Sequence, residues 1–524
     1  MGRKWWTLLA VSVATFMLLL DITVVNTALP SIEEDLGASF TDLQWVIDAY
    51  ALSLAAFVLT AGSLADRLGR RRVFAIGLAI FSLASLLCAL SPDSTFLNVS
   101  RALQGIGGAV MFAVSLALIA QEFPGGRERG TALGVYGATI GGAVAIGPLV
   151  GGALTDSLGW ESIFLLNLPI GLACIAATMT KLAESRDPHA TRIDWGGLVT
   201  FSVSLFCLVL ALLRGNEDGW GSTKIVGLFV VAAAMMVAFV AIERRTSEPM
   251  LPLGLFRIRT FTGVQIAAFA ISASQFALFL YLTLYLQNIL GYSPFEAGLR
   301  YLPITVASFV AAGLAGAMIT RVPSRILMGT GLAFAGVGLV LMSGLDVDSE
   351  WTALLAGFLI GGVGIGMLNP AIADAAVGTV PKEQSGMASG INDTFRQVGI
   401  SVGIATWGAI FLSRGADEVV EVVGPDSPAA FGERPRELVE ATSSGALDQV
   451  LTTVPGPAQG TVSAAATDGF LAGLNEILLL GGLLCFAGAL VALWLVREDE
   501  IERESLDEDP GPDGRADPEP ALGV

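Results

Sequence analysis

The sequence predicts an all-α polytopic membrane protein, built as two six-helix halves with a two-helix hairpin inserted between them. Three observations predict it. Apolar runs of about 20 residues recur from Trp5 to Val496, and about 20 residues is what a helix needs to cross the hydrocarbon core. Only 15% of the 524 residues are charged and the mean hydropathy is +0.69. Segments about 255 residues apart also resemble one another.

Lipid cannot satisfy open backbone groups, so each apolar run must be a helix. Fourteen spans result: 5–29, 42–63, 73–91, 95–120, 130–154, 162–180, 194–213, 224–242, 260–290, 296–319, 326–345, 352–379, 386–413 and 470–496. An even count puts both ends on one side. On that side the loops and ends hold twenty Lys and Arg besides Arg515 of the tail, against five opposite, so the positive-inside rule places both termini in the cytoplasm of a cell-membrane protein. The first run is too long for a cleaved leader and no A-x-A-like site follows it. Most of the net charge of −18 lies in two segments, −6 in 414–469 and −8 in 497–524. Both read as solvated and partly disordered. The resulting organisation is a first half at 1–193, inserted helices 7 and 8 with a flanking loop at 194–259, a second half at 260–496 including the extracytoplasmic loop 414–469, and an acidic cytoplasmic tail at 497–524.

The repeat keeps its register. "GSLADRLGRR" at 62–71 faces "GAMITRVPSR" at 316–325, an offset of 254; "GTALG" at 130–134 faces "GMASG" at 386–390, an offset of 256; and Pro381 lies 257 after Pro124. Two related halves with a site between them are the architecture of transporters that expose the site to each face in turn.

Charges inside the spans mark candidate site residues, since a charge at mid-membrane costs at least ~2.5–3.5 kcal/mol. Span 1 carries Asp21 and then Asn26, span 2 carries Asp48, and span 4 carries Arg101 and Gln104 one turn apart. In span 13, Asp393 and Arg396 at i, i+3 can share a helix face. A substrate or proton pathway is one reading; an ion pair that only orients helices, such as Asp21 with Arg101, is the other. The sole histidine, His189, lies in a polar connector. Proton coupling would therefore fall to buried carboxylates, whose affinity for protons rises on burial and falls beside an arginine. Asp21 and Asp48 are the candidates.

Span 5 is stripped of side chains by glycines, Gly137, Gly141, Gly142, Gly147, Gly151 and Gly152 among them, and is interrupted by Pro148. This pattern suits bending or close helix contact. Between spans 2 and 3, "GSLADRLGRRR" concentrates one acid and four arginines in a chain that otherwise avoids charge; in part it is a topological anchor. Several function classes are excluded. None of the four lysines follows a glycine, so no P-loop is present, and neither HExxH nor a nucleophile motif occurs. The chain reads as neither an enzyme nor a nucleic-acid binder. Its four cysteines sit in apolar runs as small hydrophobes, not as disulfides or metal ligands.

Together these stretches resemble the major facilitator superfamily, and within it the fourteen-span drug:proton antiporters, over residues 5–496. The resemblance is carried by "LDITVVNTALP" in span 1, "GSLADRLGRRR", "RALQGIGGA" in span 4, "GPLVGG" in span 5, "WESIFLLNLPIG" at 160–171 and "FRQVG" at 395–399. Glu161-Ser162 departs from the branch, which often has a basic and an aromatic residue there; Thr320, Pro323 and Ser324 replace Asp66, Gly69 and Arg70 in the second motif copy. The resemblance implies a latch. Gly62 lets helices of the two halves touch, Asp66 caps a helix N-terminus of the opposite half, that of span 11, and Arg70 holds an acid of its own half, Glu122. It further implies a monomer that exports hydrophobic or cationic compounds, drugs and antibiotics among them, with no cofactor and with the proton gradient as energy source. Proton-coupled uptake or exchange of a small organic solute, and a non-transporting membrane sensor, are the alternatives. The glycine–proline pattern of span 5 argues against uptake, and the repeat and buried acids argue against the sensor.

Overall fold

The protein was analysed as a computed structural model that describes residues 2–187, 193–246, 248–319, 321–423, 435–454 and 456–501. The described residues are helical, with no strand among them. Each of the fourteen sequence spans falls on a helix, numbered accordingly. In the first bundle these are α1 (Arg3–Leu36), α2 (Phe40–Leu68), α3 (Arg70–Ala89), α4 (Ser94–Glu122), α5 (Gly126–Leu158) and α6 (Glu161–Lys181). Then come α7 (Trp195–Asp218) and α8 (Thr223–Glu243). The second bundle contains α9 (Arg259–Ile289), α10 (Leu302–Met318), α11 (Ser324–Leu341), α12 (Leu355–Gly378), α13 (Ser385–Val423) and α14 (Gly456–Leu495). Among the described residues, twelve helices are long and apolar enough to cross a membrane, and α10 is a shorter apolar helix. The remaining one, α5, has 33 residues but is diluted by glycine.

Local chemistry sets the ends. Ser39 opens α2 with a capping box to Asp42, its hydroxyl accepting from the Asp42 N–H at 3.3 Å. Gly37 closes α1 in the left-handed region at φ 60°. Asp93 caps α4 by accepting from the Phe96 N–H at 2.8 Å. Within α9 the hydrogen bonding widens to π turns at Ser272–Phe276 and Tyr285–Ile289.

Helices α1–α6 pack on one another, as do α9–α14, and the bundles meet chiefly through α2 and α4 against α13 and through α5 against α10 and α12. The inserted α7 lies against both α2 and α13. Its Ser202 hydroxyl bonds Thr60 of α2 at 3.1 Å, and its Asn216 amide donates to the Ala405 carbonyl of α13 at 3.1 Å.

The described parts of the two acidic segments are ordered, while 424–434, 455 and 502–524 lie outside the described residues. The described parts of 414–469 are ordered helix: α13 runs to Val423, a short helix covers Pro435–Ser443, and α14 starts at Gly456. The acids there share helices with an apolar face, since Val419, Leu438, Val439 and Val462 are buried. The start of the acidic tail is also fixed. Glu498 accepts from the Ser324 N–H and Glu500 from the Thr260 N–H, both at 2.8 Å. Two tail carboxylates thus cap the first turns of α11 and α9, where orphan N–H groups and the helix dipole favour them.

Candidate functional site: a buried charge centre and an inter-bundle latch

Three sequence-predicted residues meet inside the first bundle. Asp21 of α1 is 4% exposed and Arg101 of α4 is 1% exposed. Arg101 donates from Nη1 to Asp21 Oδ2 at 2.6 Å and to Gln104 Oε1 at 2.6 Å. Gln104 donates from Nε2 to Asp21 Oδ1 at 2.7 Å and to the Ser85 hydroxyl at 2.8 Å. Arg101 Nε donates to the Val46 carbonyl at 2.9 Å, and the guanidinium lies 4.4 Å from the Tyr50 ring centroid. The ion pair thus has good geometry, and further hydrogen bonds from Arg101 Nε and Nη1 and to Asp21 Oδ1 support it. A buried pair needs both to offset desolvation.

Sequence reasoning missed two members of this centre. Asn167 of α6 donates to Asp21 Oδ1 at 2.8 Å and to Ser85 of α3 at 3.3 Å. Neither side chain is charged, so a search for membrane charges passes them over. Asn167 does fall inside "WESIFLLNLPIG", and a neutral amide in an apolar run was the available signal. The centre is also placed differently than expected. All its members belong to the first bundle, so Asp21 lies within that bundle and not on the cleft between bundles. Asp48 is half-buried on α2. Asn26 is exposed on α1, outside the network.

The latch joins the bundles at the end of the helices that carries the termini, with its partners corrected. Asp66 accepts from the backbone N–H of Gly386 at 3.1 Å and of Met387 at 2.7 Å. These open α13, not α11, because α2 packs along α13, while the start of α11 is already capped by the tail. Arg70 does not hold Glu122. It donates from Nη2 and Nε to Asp66 Oδ1, at 2.7 and 2.9 Å, and from Nη1 to Gln121 Oε1 at 3.0 Å. From Nη2 it also reaches the carbonyls of Lys382 and Glu383, at 2.8 and 2.9 Å. Four residues on from Asp66, Arg70 has its acid on the neighbouring turn, whereas Glu122 pairs with Arg3 at 3.4 Å. A Cβ on Gly62 would strike the Gly386 carbonyl, so the backbones touch there. The other copies of these motifs make the mirror contact, Gly130 of α5 meeting Gly316 of α10 in the same way.

An ion pair also crosses between the bundles. Arg129 of α5 lies 2.7 Å from Asp374 of α12, and both are buried. Arg129 stands at the edge of a loop, and the signal for the pair is Asp374, a lone acid in "NPAIADAAVG".

The glycines of α5 divide their work. Gly147 and Gly151 press against Thr23 and Thr27 of α1, whereas Gly152 has nothing within 4 Å of a Cβ position and makes no close contact. The Pro148 side chain, His189 and Thr320 lie outside the described residues. In α13, Asp393 and Arg396 are not ion-paired within 4 Å. Arg396 donates instead to Asn392 at 3.2 Å and to Asn369 of α12 at 3.1 Å.

Comparison with known proteins decides the family. The profile described as Major Facilitator Superfamily matches residues 11–404. The chain belongs to this superfamily. It is 33% identical to the tetracenomycin C resistance and export protein of Streptomyces glaucescens, over 96% of this chain and 93% of that one. It is 38% identical to the puromycin resistance protein pur8 of Streptomyces alboniger, over 82% and 85%. The crystal structure of the human organic anion transporter MFSD10 (TETRAN) superposes with a TM-score of 0.62 at 13% identity, covering 94% of this chain and all of that one, and so shares the fold.

Proposed function

We propose that this protein is a proton-coupled antiporter that exports hydrophobic or cationic compounds across the cell membrane, by alternating access between its two bundles. The observation that carries the reading is Asp21, a carboxylate sealed inside a membrane helix and held by Arg101, Gln104 and Asn167. As the carboxylate it satisfies all three donors. On protonation it loses the charge that neutralises Arg101, and the guanidinium must find another partner. Protonation therefore changes the packing of α1 against α4, and α1 packs along the glycine face of α5, which reaches the second bundle. Relatives named for antibiotic resistance and export support the direction of transport. In this reading the chain works as a monomer with fourteen spans and cytoplasmic termini, the inserted α7 and α8 move with the first bundle, and Asp48 is a second proton carrier. The proton gradient supplies the energy and no cofactor takes part.

Everted vesicles energised by respiration test this with a pH-sensitive dye. Adding puromycin or ethidium is expected to release protons from vesicles bearing the protein and not from control vesicles. Uptake of either compound without proton movement would overturn the coupling. Absence of uptake for a broad panel would overturn export.

A further inference from the structure

Helix α10 is committed on two sides. Towards α5 it presents Ala312 and Gly316, which meet Gly134 and Gly130, and towards α12 it presents Ser308 and Ala311 against Gly366. The side left over is turned away from α5. There Val306, Val310 and Leu314 are 58%, 54% and 61% exposed, in a span that crosses the hydrocarbon core, so acyl chains cover them. This surface is not a plain ridge. Ala307, Ala311 and Ala315, one turn apart, form a floor, α12 supplies the far wall with Leu359 and Val363, and Leu327 of α11 closes the end nearest the termini. The result is a groove of about 440 Å³, running from Pro303 to Met318, whose lining side chains are all apolar. At 1.5 Å per residue it is about 22 Å long, more than one leaflet's half of the ~30 Å core. It is open sideways to the bilayer, so a lipid reaches it without passing through the protein.

The end by Leu327 carries charge. Arg321 stands three residues beyond Met318 and Arg325 two residues before Leu327, and both are exposed. Neither guanidinium has an ion-pair partner among the described residues. Glu498, the acid at this turn, accepts instead from the Ser324 N–H at 2.8 Å. With 17 residues, α10 is about 25 Å long, short of the core thickness, so the chain just past Met318 is drawn to headgroup depth. Arginines at that depth attract anionic headgroups, and the planar guanidinium suits a phosphate.

We propose that this groove is a binding site for an anionic phospholipid, with an acyl chain along the alanine floor and the phosphate between Arg321 and Arg325. A neutral phospholipid fills the groove without drawing on the arginines. A free phosphate draws on the arginines and leaves the groove empty. The site lies on the lipid side of the second bundle and does not depend on the exporter reading.

Native mass spectrometry of the delipidated full-length protein tests this. The probes are dioleoylphosphatidylglycerol and dioleoylphosphatidylcholine, with glycerol phosphate as the control without chains. Wild-type protein is expected to bind the phosphatidylglycerol about 30-fold more tightly than the phosphatidylcholine, the worth of two arginines near a membrane surface. Arg321→Gln with Arg325→Gln alters only exposed side chains, so the fold is kept, and the preference should shrink to within about threefold. Ala307→Phe fills the groove from its half-buried floor and should weaken both lipids about tenfold, as expected for displacing several buried methylenes, with its melting temperature confirming that it is folded. Equal affinity of the wild type for the two lipids would overturn the proposal, as would a preference that survives the double arginine substitution. So would a folded Ala307→Phe protein that binds both lipids like the wild type. Glycerol phosphate binding as tightly as phosphatidylglycerol would reduce the site to one for a free anion and overturn it too.

Discussion

Replacing Asp66 by asparagine should open the latch without touching the charge centre. Of the bonds Asp66 makes, those to Arg70 stay within the first bundle, whereas those to the N–H groups of Gly386 and Met387 cross to the second. Only the crossing bonds differ between a state closed at this end and a state open there. Hydrogen bonds to a charged group are worth about 1.5–3 kcal/mol net, against about 0.5–1.5 for neutral ones. The helix-terminus charge interaction is contained in that difference. Two bonds weakened by about 1–1.5 kcal/mol each remove roughly 2–3 kcal/mol from the closed state. At 1.4 kcal/mol per tenfold, the population moves about 30- to 150-fold toward the open state. Spin labels at Arg72 and Arg325, both exposed and at this end, would report it as a longer distance in double electron–electron resonance. Transport should slow while puromycin affinity in detergent stays within a few-fold. An unchanged distance distribution in a folded Asp66→Asn variant would refute the latch argument. A loss of binding equal to the loss of transport would do the same.

Three further outcomes are expected. Asp21→Asn strands the buried Arg101 charge, at a cost of about 3–5 kcal/mol; its melting temperature should fall, and Asp21→Asn with Arg101→Met should regain it while proton release stays absent, so release by the double variant would clear Asp21 of the coupling role. Gly130→Val puts a branched side chain against the Gly316 carbonyl, so this variant should be unable to close the terminal end, which cysteine cross-linking across α5 and α10 would read; cross-linking at the wild-type rate would show that the contact yields. Truncation after Ile501 should leave thermal stability unchanged, whereas truncation after Arg497 removes the caps from Glu498 and Glu500 and should cost about 1 kcal/mol per helix end, seen as a lower melting temperature of the purified protein.

Much of the fold was legible because lipid enforces one rule: a long apolar run is a helix, whatever it packs against. Asp21, Arg101 and Gln104 were legible for a related reason, since charge or strong polarity inside such a run has to be neutralised by something nearby. What stayed hidden depended on partner choice. Arg70 could reach several acids, and its nearest turn, not the sequence, decided for Asp66 over Glu122. Asp66 was expected at the start of α11, but α2 packs along α13, and which helix lies opposite is set by packing. Arg129 stood at a loop edge, where an arginine needs no partner, so nothing pointed to Asp374 across the interface. Asn167 and Ser85 are neutral, and a neutral side chain in an apolar run becomes informative only once its neighbours are known.

The caps on α9 and α11 set an order of assembly. Their N-termini are made when residues 259 and 324 leave the ribosome, but the carboxylates that satisfy them, Glu498 and Glu500, follow 174 and 240 residues after the N–H groups they cap. The first bundle contains every partner of its own charge centre by residue 167 and can finish its interior during synthesis. The second bundle waits for residues 498–500 to seal two of its helix starts. A chain released early would therefore display a completed first bundle beside an unsealed second one, a distinction that quality-control proteases could use to recognise unfinished copies.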